Sequence, residues 1–264
     1  MLIAHLSDPH VRPHGVLYQG VVDSNARLAE AVARVWAMDP RPDLVLLGGD
    51  LVDHGQPAEY AALREILAAL PIPMLVIPGN HDDRENLRAA FADHAYLPRS
   101  GPLHYCVDEH PVRVVALDST VPGHHHGHLD EASLEWLAAT LARDPDKPTL
   151  LMLHHHPIPC GIEYLDEYRY FDGDALRQVV EGVDNVEIVL CGHVHRSMLT
   201  RWAGTVLSSC PSTATEIDLD LTADAQPSSH GGPRGFMLHR FDAGQGLVSH
   251  TIQLGDFGQA HPFA

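Results

Sequence analysis

The sequence predicts a layered α/β fold with a largely parallel sheet. Short apolar runs rich in β-branched residues alternate with helical patterns as far as Cys191, and several of the helical patterns open on an acidic residue. Strands that alternate with helices favour parallel pairing, and a parallel sheet carries its active site beyond the carboxyl ends of its strands. The residues at those strand ends are therefore the first candidates for function.

Six apolar runs predict buried strands, and they cover 2–6, 44–47, 74–77, 112–117, 149–153 and 186–190. The helical patterns between them cover 23–38, 57–70, 83–92, 130–143 and 174–181. After Gly192 the pattern changes, because extended runs at 205–208, 235–240 and 247–253 follow one another without intervening helices. This change predicts a second sheet.

The composition restricts the class of partner. The chain has 35 acidic and 17 basic residues and a formal net charge of −18, which repels long polyanions such as duplex nucleic acid. No apolar stretch reaches the roughly 18 residues of a membrane span, and the N-terminus does not resemble a signal peptide. We therefore expect a cytoplasmic protein that binds neither long nucleic acid nor membranes. The four cysteines are widely spaced and are interpreted as reduced thiols.

The first two predicted strands end in carboxylate and imidazole residues. Asp8 and His10 lie two residues apart after the first run, so in an extended segment their side chains point the same way and can bind one ion. Two glycines precede Asp50 after the second run and let the backbone turn sharply. We interpret Asp50 as a bridging ligand, and Asp53 as a capping or orienting residue.

The next strand ends carry an amide and several imidazoles. Asn80 follows the third run and offers a neutral oxygen ligand, while His81 would lie beside the metal without binding it. The run 149–153 leads into three consecutive histidines that begin at His154, so at least one imidazole points into the same crevice. The run 186–190 leads to His193 and His195, one for each of two metals.

Each motif alone is also compatible with a cap, a turn or a solvated loop. Five successive strand ends of the same chemical kind are hard to attribute to caps and turns, and together they predict a metal centre. A further histidine-rich segment at 124–128 follows no predicted strand and is surrounded by glycine and proline. We interpret that segment as a solvated loop outside the site.

In their order along the chain, these motifs resemble the five signature blocks of the calcineurin-like metallophosphoesterases. The blocks are Asp8-x-His10, Gly49-Asp50, Gly79-Asn80-His81-Asp82, His154-His155 and Gly192-His193-x-His195. The segments 4–8 and 78–83 are most similar to the class III cyclic-nucleotide phosphodiesterases and the related bacterial glycerophosphodiesterases.

The resemblance implies a four-layer α/β/β/α sandwich that holds two divalent or mixed-valence metal ions. The mixture of carboxylate, imidazole and amide ligands suits iron, manganese, zinc or cobalt. Whether His154 or His155 is a ligand stays open, because this chain has an extra histidine. The resemblance assigns one ion to Asp8, His10, Asp50 and His195, and the other to Asp50, Asn80, His154 and His193.

The implied activity is hydrolysis of small phosphodiesters, namely 3′,5′-cyclic nucleotides or glycerophosphodiesters, by attack of a metal-bound hydroxide. His81 and Asp50 are the expected catalytic residues. A phosphomonoesterase or protein phosphatase is an alternative that would share the metals. An alternative of another class is a metal-dependent binding or regulatory module with incidental hydrolysis.

The resemblance also divides the chain into two parts. We expect a catalytic core over 1–215 and a C-terminal extension over 216–264 that completes the second sheet. By the same resemblance, the extension serves as a cap over the site or as an element of a homo-oligomer.

Overall fold

The computed structural model describes residues 1–259 and 261–262 of the chain. Its strands are β1 (Leu2–Leu6), β2 (Leu44–Leu47), β3 (Met74–Val76), β4 (Tyr105–Val107), β5 (Arg113–Ala116), β6 (Thr149–Met152), β7 (Val186–Cys191), β8 (Met198–Trp202), β9 (Thr205–Ser209), β10 (Glu216–Ile217), β11 (Ser229–His230), β12 (Arg234–Asp242) and β13 (Gly246–Leu254). Its helices are α1 (Ser24–Trp36), α2 (Pro57–Leu67), α3 (Arg84–Ala90), α4 (Glu131–Ala142), α5 (Glu163–Asp166) and α6 (Gly173–Glu181). All six strands and five helices that the sequence predicts before Cys191 are present, with ends shifted by up to three residues.

The strands form two mixed sheets and one short ribbon. The first sheet has the order β13-β12-β1-β2-β3, the second has the order β4-β5-β6-β7-β9-β8, and β10 pairs with β11. In the first sheet β1, β2 and β3 are parallel. In the second sheet β5, β6, β7 and β9 are parallel. The carboxyl ends of these parallel strands are therefore the places where the site residues are expected.

Alternating side chains of the second sheet belong to two different cores. Val114 and Ala116 of β5 pack in the large core that contains the first sheet and helices α1 to α3. Val115 and Leu117 pack instead with the apolar residues of α4 and α6. Since neighbouring residues of a strand point to opposite faces, this division places helices outside both sheets. The fold is the four-layer α/β/β/α sandwich that the resemblance implies.

Acidic side chains cap three of the helices, as the helical patterns predict. Asp23, Asp83 and Asp130 each accept a hydrogen bond from the backbone amide three residues further on, at 2.8–2.9 Å. These bonds satisfy amide groups of the first turn that have no partner inside the helix. In the part of the chain that the structure describes, no helix has the length and apolar character needed to cross a membrane.

The structure corrects one expectation about the sheets. The strands before Cys191 do not form one parallel sheet, because β1 to β3 belong to one sheet and β5 to β7 to the other. The extension completes the sheet that contains β1, since β12 pairs antiparallel with β1 and β13 pairs with β12. The physical reason is that β2 occupies only one side of β1, so the other side has free backbone groups that a later strand must pair.

Candidate metal centre

The ends of β1 and β2 stay hydrogen-bonded beyond the strands themselves. The Asp8 amide donates to the Gly49 carbonyl and the His10 amide donates to the Asp50 carbonyl, both at 3.1 Å. This pairing fixes the two segments side by side at one edge of the first sheet. The residues that the sequence predicts as ligands on these two strands are therefore neighbours in space.

The second sheet contributes to the same place. The His193 amide donates to both carboxylate oxygens of Asp8, at 3.0 and 3.1 Å. The Gly192 amide donates to the His154 carbonyl at 3.0 Å, which joins the ends of β6 and β7. The strand ends of the two sheets thus meet at one site.

Five of the predicted ligands have a left-handed backbone conformation that is uncommon outside glycine. The φ angles are 51° for Asp8, 44° for His10, 47° for Asp50, 68° for His193 and 55° for His195. Aspartate and histidine reach this region more often than most L-residues, although it still carries strain. Each strand turns sharply at its last residues, which directs the side chains inward.

The first cluster contains Asp8, His10, Asp50 and His195, and all four residues are buried. The Nε2 atoms of His10 and His195 lie 3.0 Å apart. His195 Nε2 is 3.5 Å from Asp8 Oδ1, and His10 Nε2 is 3.8 Å from Asp50 Oδ2. Two imidazole nitrogens and two carboxylates therefore converge on a single point.

A second group of metal-binding side chains contains His154, His155 and His193. His154 Nε2 lies 3.3 Å from Asp50 Oδ2, and its other ring nitrogen donates to the Gly48 carbonyl at 2.8 Å. Within the described residues, Asn80 Oδ1, His154 Nε2 and His193 Nε2 are buried without a hydrogen-bond partner. Buried polar atoms normally have partners, so these unpartnered atoms, two of them in one histidine group, are consistent with a bound group.

Hydrogen bonding distinguishes His154 from His155, which the sequence could not do. His155 Nδ1 lies 2.8 Å from the Ser119 hydroxyl and its Nε2 lies 3.1 Å from the His125 carbonyl. His155 is close to His154 and His193, but both of its ring nitrogens have partners. His154 offers a free nitrogen beside Asp50 and is the better candidate ligand.

The electrostatics of the centre favour a bound cation. Burial raises the pKa of Asp8 to about 7, and the nearby Asp50 carboxylate adds to this shift. Burial acts to raise the pKa of Asp50 as well, but the His154 and His81 imidazoles outweigh it, and the pKa lies well below its ordinary value. A divalent cation would relieve the repulsion between the two carboxylates. Carboxylate, imidazole and amide donors with converging free atoms fit such an ion.

His81 lies beside the clusters and is anchored through its Nδ1 atom, which donates to the Asp53 carbonyl at 2.8 Å. Burial acts to lower the pKa of His81, but the Asp50 carboxylate and the Asp53 carbonyl outweigh it and the net shift is upward. The residue lines the pocket above the clusters. With Nδ1 held by the Asp53 carbonyl, Nε2 is the ring nitrogen left to face a bound molecule.

An ion-pair network supports the first cluster from outside. Asp53 Oδ1 lies 3.7 Å from His10 Nδ1, and Asp53 Oδ2 accepts from Arg12 at 2.8 Å. The same Arg12 nitrogen donates to the buried Glu59 at 2.7 Å. Asp53 thus lies behind His10 and pairs with Arg12, a position that agrees with the orienting interpretation but shows no hydrogen bond to His10.

A pocket of about 560 Å³ opens over the two clusters. The Tyr18 ring stacks on His10 with 4.6 Å between ring centroids. Tyr164, Leu165 and Tyr168 form part of the wall, and Ile217 and the segment 227–229 contribute from the C-terminal extension. The volume lies in the range of small-molecule sites.

His125 is a pocket residue, although the sequence pattern wrongly predicts that it lies outside the site. Its Nδ1 lies 3.1 Å from Asn80 Nδ2, and it lines the pocket. Arg84 fixes the start of this loop, because it forms two bonds of 2.6 and 3.1 Å with the buried Asp118. The one indication in the sequence that His125 could belong to the site was that its loop follows the carboxyl end of β5.

Comparisons with known proteins agree with this geometry. A probable glycerophosphodiester phosphodiesterase from Arcobacter nitrofigilis is 34% identical over 264 residues, which is 100% of this chain and 97% of the relative. A cAMP/cGMP dual specificity phosphodiesterase from Mycobacterium tuberculosis is 35% identical over 258 residues, 96% of this chain and 80% of the relative.

A dimetal phosphatase from Danio rerio has a similar structure, with a TM-score of 0.64 and 14% identity over 96% of this chain and 98% of the other. At that identity the likeness concerns the fold alone. The family model of the calcineurin-like phosphoesterases matches residues 1–197, and this family implies divalent metal ions at the clustered histidines and aspartates. With this match and the identities above, the chain belongs to the calcineurin-like phosphoesterase family.

Proposed function

We propose that the protein is a metal-dependent enzyme that hydrolyses small phosphodiesters, namely 3′,5′-cyclic nucleotides or glycerophosphodiesters. The observation that carries this proposal is the buried group of Asp8, His10, Asp50 and His195 below a small-molecule pocket, with His154 of a second histidine group 3.3 Å from Asp50. The names of the two relatives described above, a glycerophosphodiester phosphodiesterase and a cyclic-nucleotide phosphodiesterase, support the same substrate class.

Two metal ions would be held, with Asp50 between them. Asp8, His10 and His195 complete the ligands of the first ion, and Asn80, His154 and His193 complete those of the second. When bound, the ions would supply Lewis acidity toward the phosphate oxygens and would lower the pKa of a water. The donor set suits iron, manganese, zinc or cobalt.

The role of His81 follows from its anchoring and its charge. The bond from Nδ1 to the Asp53 carbonyl fixes the ring plane, and protonation of Nε2 would give an imidazolium on the wall of the pocket. That proton can hydrogen-bond to the phosphate or pass to the leaving alkoxide. A positioned general acid of this kind contributes about 10²–10⁴ in rate.

The charge of the pocket favours a diester over a monoester. Among the described residues that line it, none is an arginine or a lysine. A diester carries one negative charge, whereas a monoester carries close to two near neutral pH. Two metal ions with imidazole donors such as His81 and His125 therefore suit a singly charged diester better than a doubly charged monoester.

The C-terminal extension would act as a cap. Ile217, Ser228 and Ser229 line the pocket although they lie after the proposed core of 1–215. The segment therefore helps to select the substrate that enters. A homo-oligomer and a cytoplasmic location remain predictions, and light scattering on the purified protein tests the first of them.

The test compares hydrolysis of bis(p-nitrophenyl) phosphate and p-nitrophenyl phosphate by manganese-reconstituted protein. We expect the diester to be preferred, Asp50→Ala to abolish turnover and His81→Ala to lower kcat by about 10²–10⁴ with both metals retained. A preference for the monoester would support the phosphatase alternative, and persistent absence of turnover would support a binding module. If the diester is hydrolysed, cyclic AMP and glycerophosphodiesters are assayed next.

A further inference from the structure

A third group of metal-binding side chains lies outside the two clusters. His156, Cys160 and Asp166 each offer one ligand atom, and these atoms lie within 4.8 Å of one another. His156 follows the end of β6, Cys160 lies in the loop after it, and Asp166 is the last residue of α5. None of the three belongs to the ligand set proposed above.

His156 is the observation that points to a ligand. It is fully buried, and neither of its ring nitrogens has a hydrogen-bond partner among the residues that the structure describes. Its Nε2 lies 3.6 Å from Asp166 Oδ1, which is too long for a hydrogen bond. A buried imidazole without any partner is unfavourable, since burial removes the water that it would otherwise bind.

The spacing fits a tetrahedral ion. Zinc bonds of 2.0–2.3 Å in tetrahedral geometry place ligand atoms roughly 3.3–3.8 Å apart. The separation of 3.6 Å between His156 and Asp166 lies within that range. The three ligand atoms lie within 4.8 Å of one another, so an ion would have to draw the most distant pair together by at most about 1 Å.

The loop holds the carboxylate in place for this purpose. Asp166 accepts hydrogen bonds from the amides of Cys160 at 2.7 Å and Gly161 at 3.0 Å. These bonds tie the carboxylate to the same loop that carries the thiol, so two of the three donors move as one unit. Cys160 and Asp166 are only partly buried, which leaves a path for an ion from solvent.

We propose that His156, Cys160 and Asp166 form a separate mononuclear site for zinc. Imidazole, thiolate and carboxylate together favour this ion over magnesium or calcium, which prefer oxygen ligands alone. Three protein ligands leave a fourth position for water. The ion would anchor the segment that carries Tyr164 and Tyr168 on the wall of the pocket.

The packing of this segment explains why an anchor there has consequences. Ile162 and Leu165 form a small apolar cluster with Val194 and Ile217. Val194 lies between His193 and His195 in the chain. An ion at the third site therefore stiffens the wall next to the main centre without binding the substrate.

The experiment uses cobalt as a spectroscopic probe of the thiolate ligand. The full-length protein is loaded with Co²⁺, and the sulfur-to-cobalt charge-transfer band is recorded in the near ultraviolet together with the metal content. The ligands proposed for the main centre include no cysteine, so a thiolate band reports on another site. We expect the band in the wild type, its loss in Cys160→Ser, and one metal equivalent fewer in that variant.

Two controls test whether the band comes from this site. Cys106→Ser, which removes another half-buried thiol, should keep the band. Asp50→Ala should keep the band while it loses metal from the main centre, so the third site can fail or succeed independently of the proposed function. Asp166→Asn provides a second ligand variant and should weaken the band. A wild type without a thiolate band, or a band unchanged in Cys160→Ser, would overturn the proposal.

Discussion

Replacement of Asp53 by asparagine tests whether the ion-pair network behind the metal centre strengthens metal binding. The side chain has nearly the same shape, but it loses the negative charge that faces His10 Nδ1 at 3.7 Å. His10 directs its Nε2 toward Asp50 and His195, so Nδ1 is the nitrogen that must be oriented by an outer partner. At this distance Asp53 acts on the ring through its charge and not through a hydrogen bond, and a negative charge behind a metal-bound imidazole strengthens it as a ligand.

The expected magnitude follows from this geometry. Loss of a hydrogen-bonded partner of a metal-bound imidazole typically weakens metal affinity by about 10–100-fold, and a charge at 3.7 Å without a hydrogen bond should fall toward the lower end of that range. The full range corresponds to about 1.4–2.7 kcal/mol. Arg12 retains Glu59 as a partner at 2.7 Å, so the variant does not leave that cation unpaired and should fold normally. The loss should fall on the ion held by His10, because Asp53 contacts the centre through His10 and His81.

Isothermal titration of the metal-free protein with Mn²⁺ measures the two affinities separately. The matched control is Asp93→Asn, which removes an exposed carboxylate that pairs with Arg64 at 2.7 Å. We expect one weakened and one unchanged affinity in Asp53→Asn, and two unchanged affinities in the control. Equal weakening of both ions, or no change in either, would refute the assigned role of Asp53.

Three further predictions concern ligand choice and stability. His154→Ala should lose about one metal equivalent per chain after dialysis, whereas His155→Gln should retain both; the reverse result would contradict the ligand choice. Arg113→Leu should lower the free energy of unfolding by about 3 kcal/mol in urea, because the buried guanidinium donates to the Thr149 hydroxyl and to two carbonyls at the end of α4; a loss below about 1 kcal/mol would count against this. Burial lowers the pKa of His239 to about 4, so the imidazole stays neutral in the folded state. In the unfolded chain its pKa is about 6.5, so the unfolded state binds a proton first and the protein loses stability as the pH falls below that value. Between pH 7 and pH 5 the free energy of unfolding should therefore fall by about 2 kcal/mol less in His239→Leu than in the wild type. An equal fall in both proteins would exclude this contribution.

The local parts of the site could be predicted from the sequence. Asp8, His10 and Asp50 come within four residues of a strand end, so the local sequence places them at that edge of the sheet. The extended backbone expected for Asp8 and His10 does not occur, because both residues are left-handed. The helix caps at Asp23 and Asp83 are local in the same sense. These features were identifiable because sequence neighbours determine them.

The features that depend on distant pairing could not be predicted in this way. A buried parallel strand has the same apolar pattern in either sheet, so the division between β1 to β3 and β5 to β7 left no trace in the sequence. The pairing of β12 with β1 joins residues more than 200 positions apart. His125 reaches Asn80 only because a long-range ion pair holds its loop, and the choice of His154 depends on which nitrogens other segments occupy.

At five predicted ligand positions the left-handed backbone lowers stability, while the residue type there is the one that metal binding needs. At Asp8 or His193, for example, a glycine would adopt the observed φ without steric cost, whereas an L-residue pays roughly 1–2 kcal/mol there. A mutation to glycine would therefore relax the metal-free fold while it deletes a ligand. Each such substitution would lower the backbone strain and remove one donor of the proposed centre at the same time, so stability and metal binding make opposite demands at these positions.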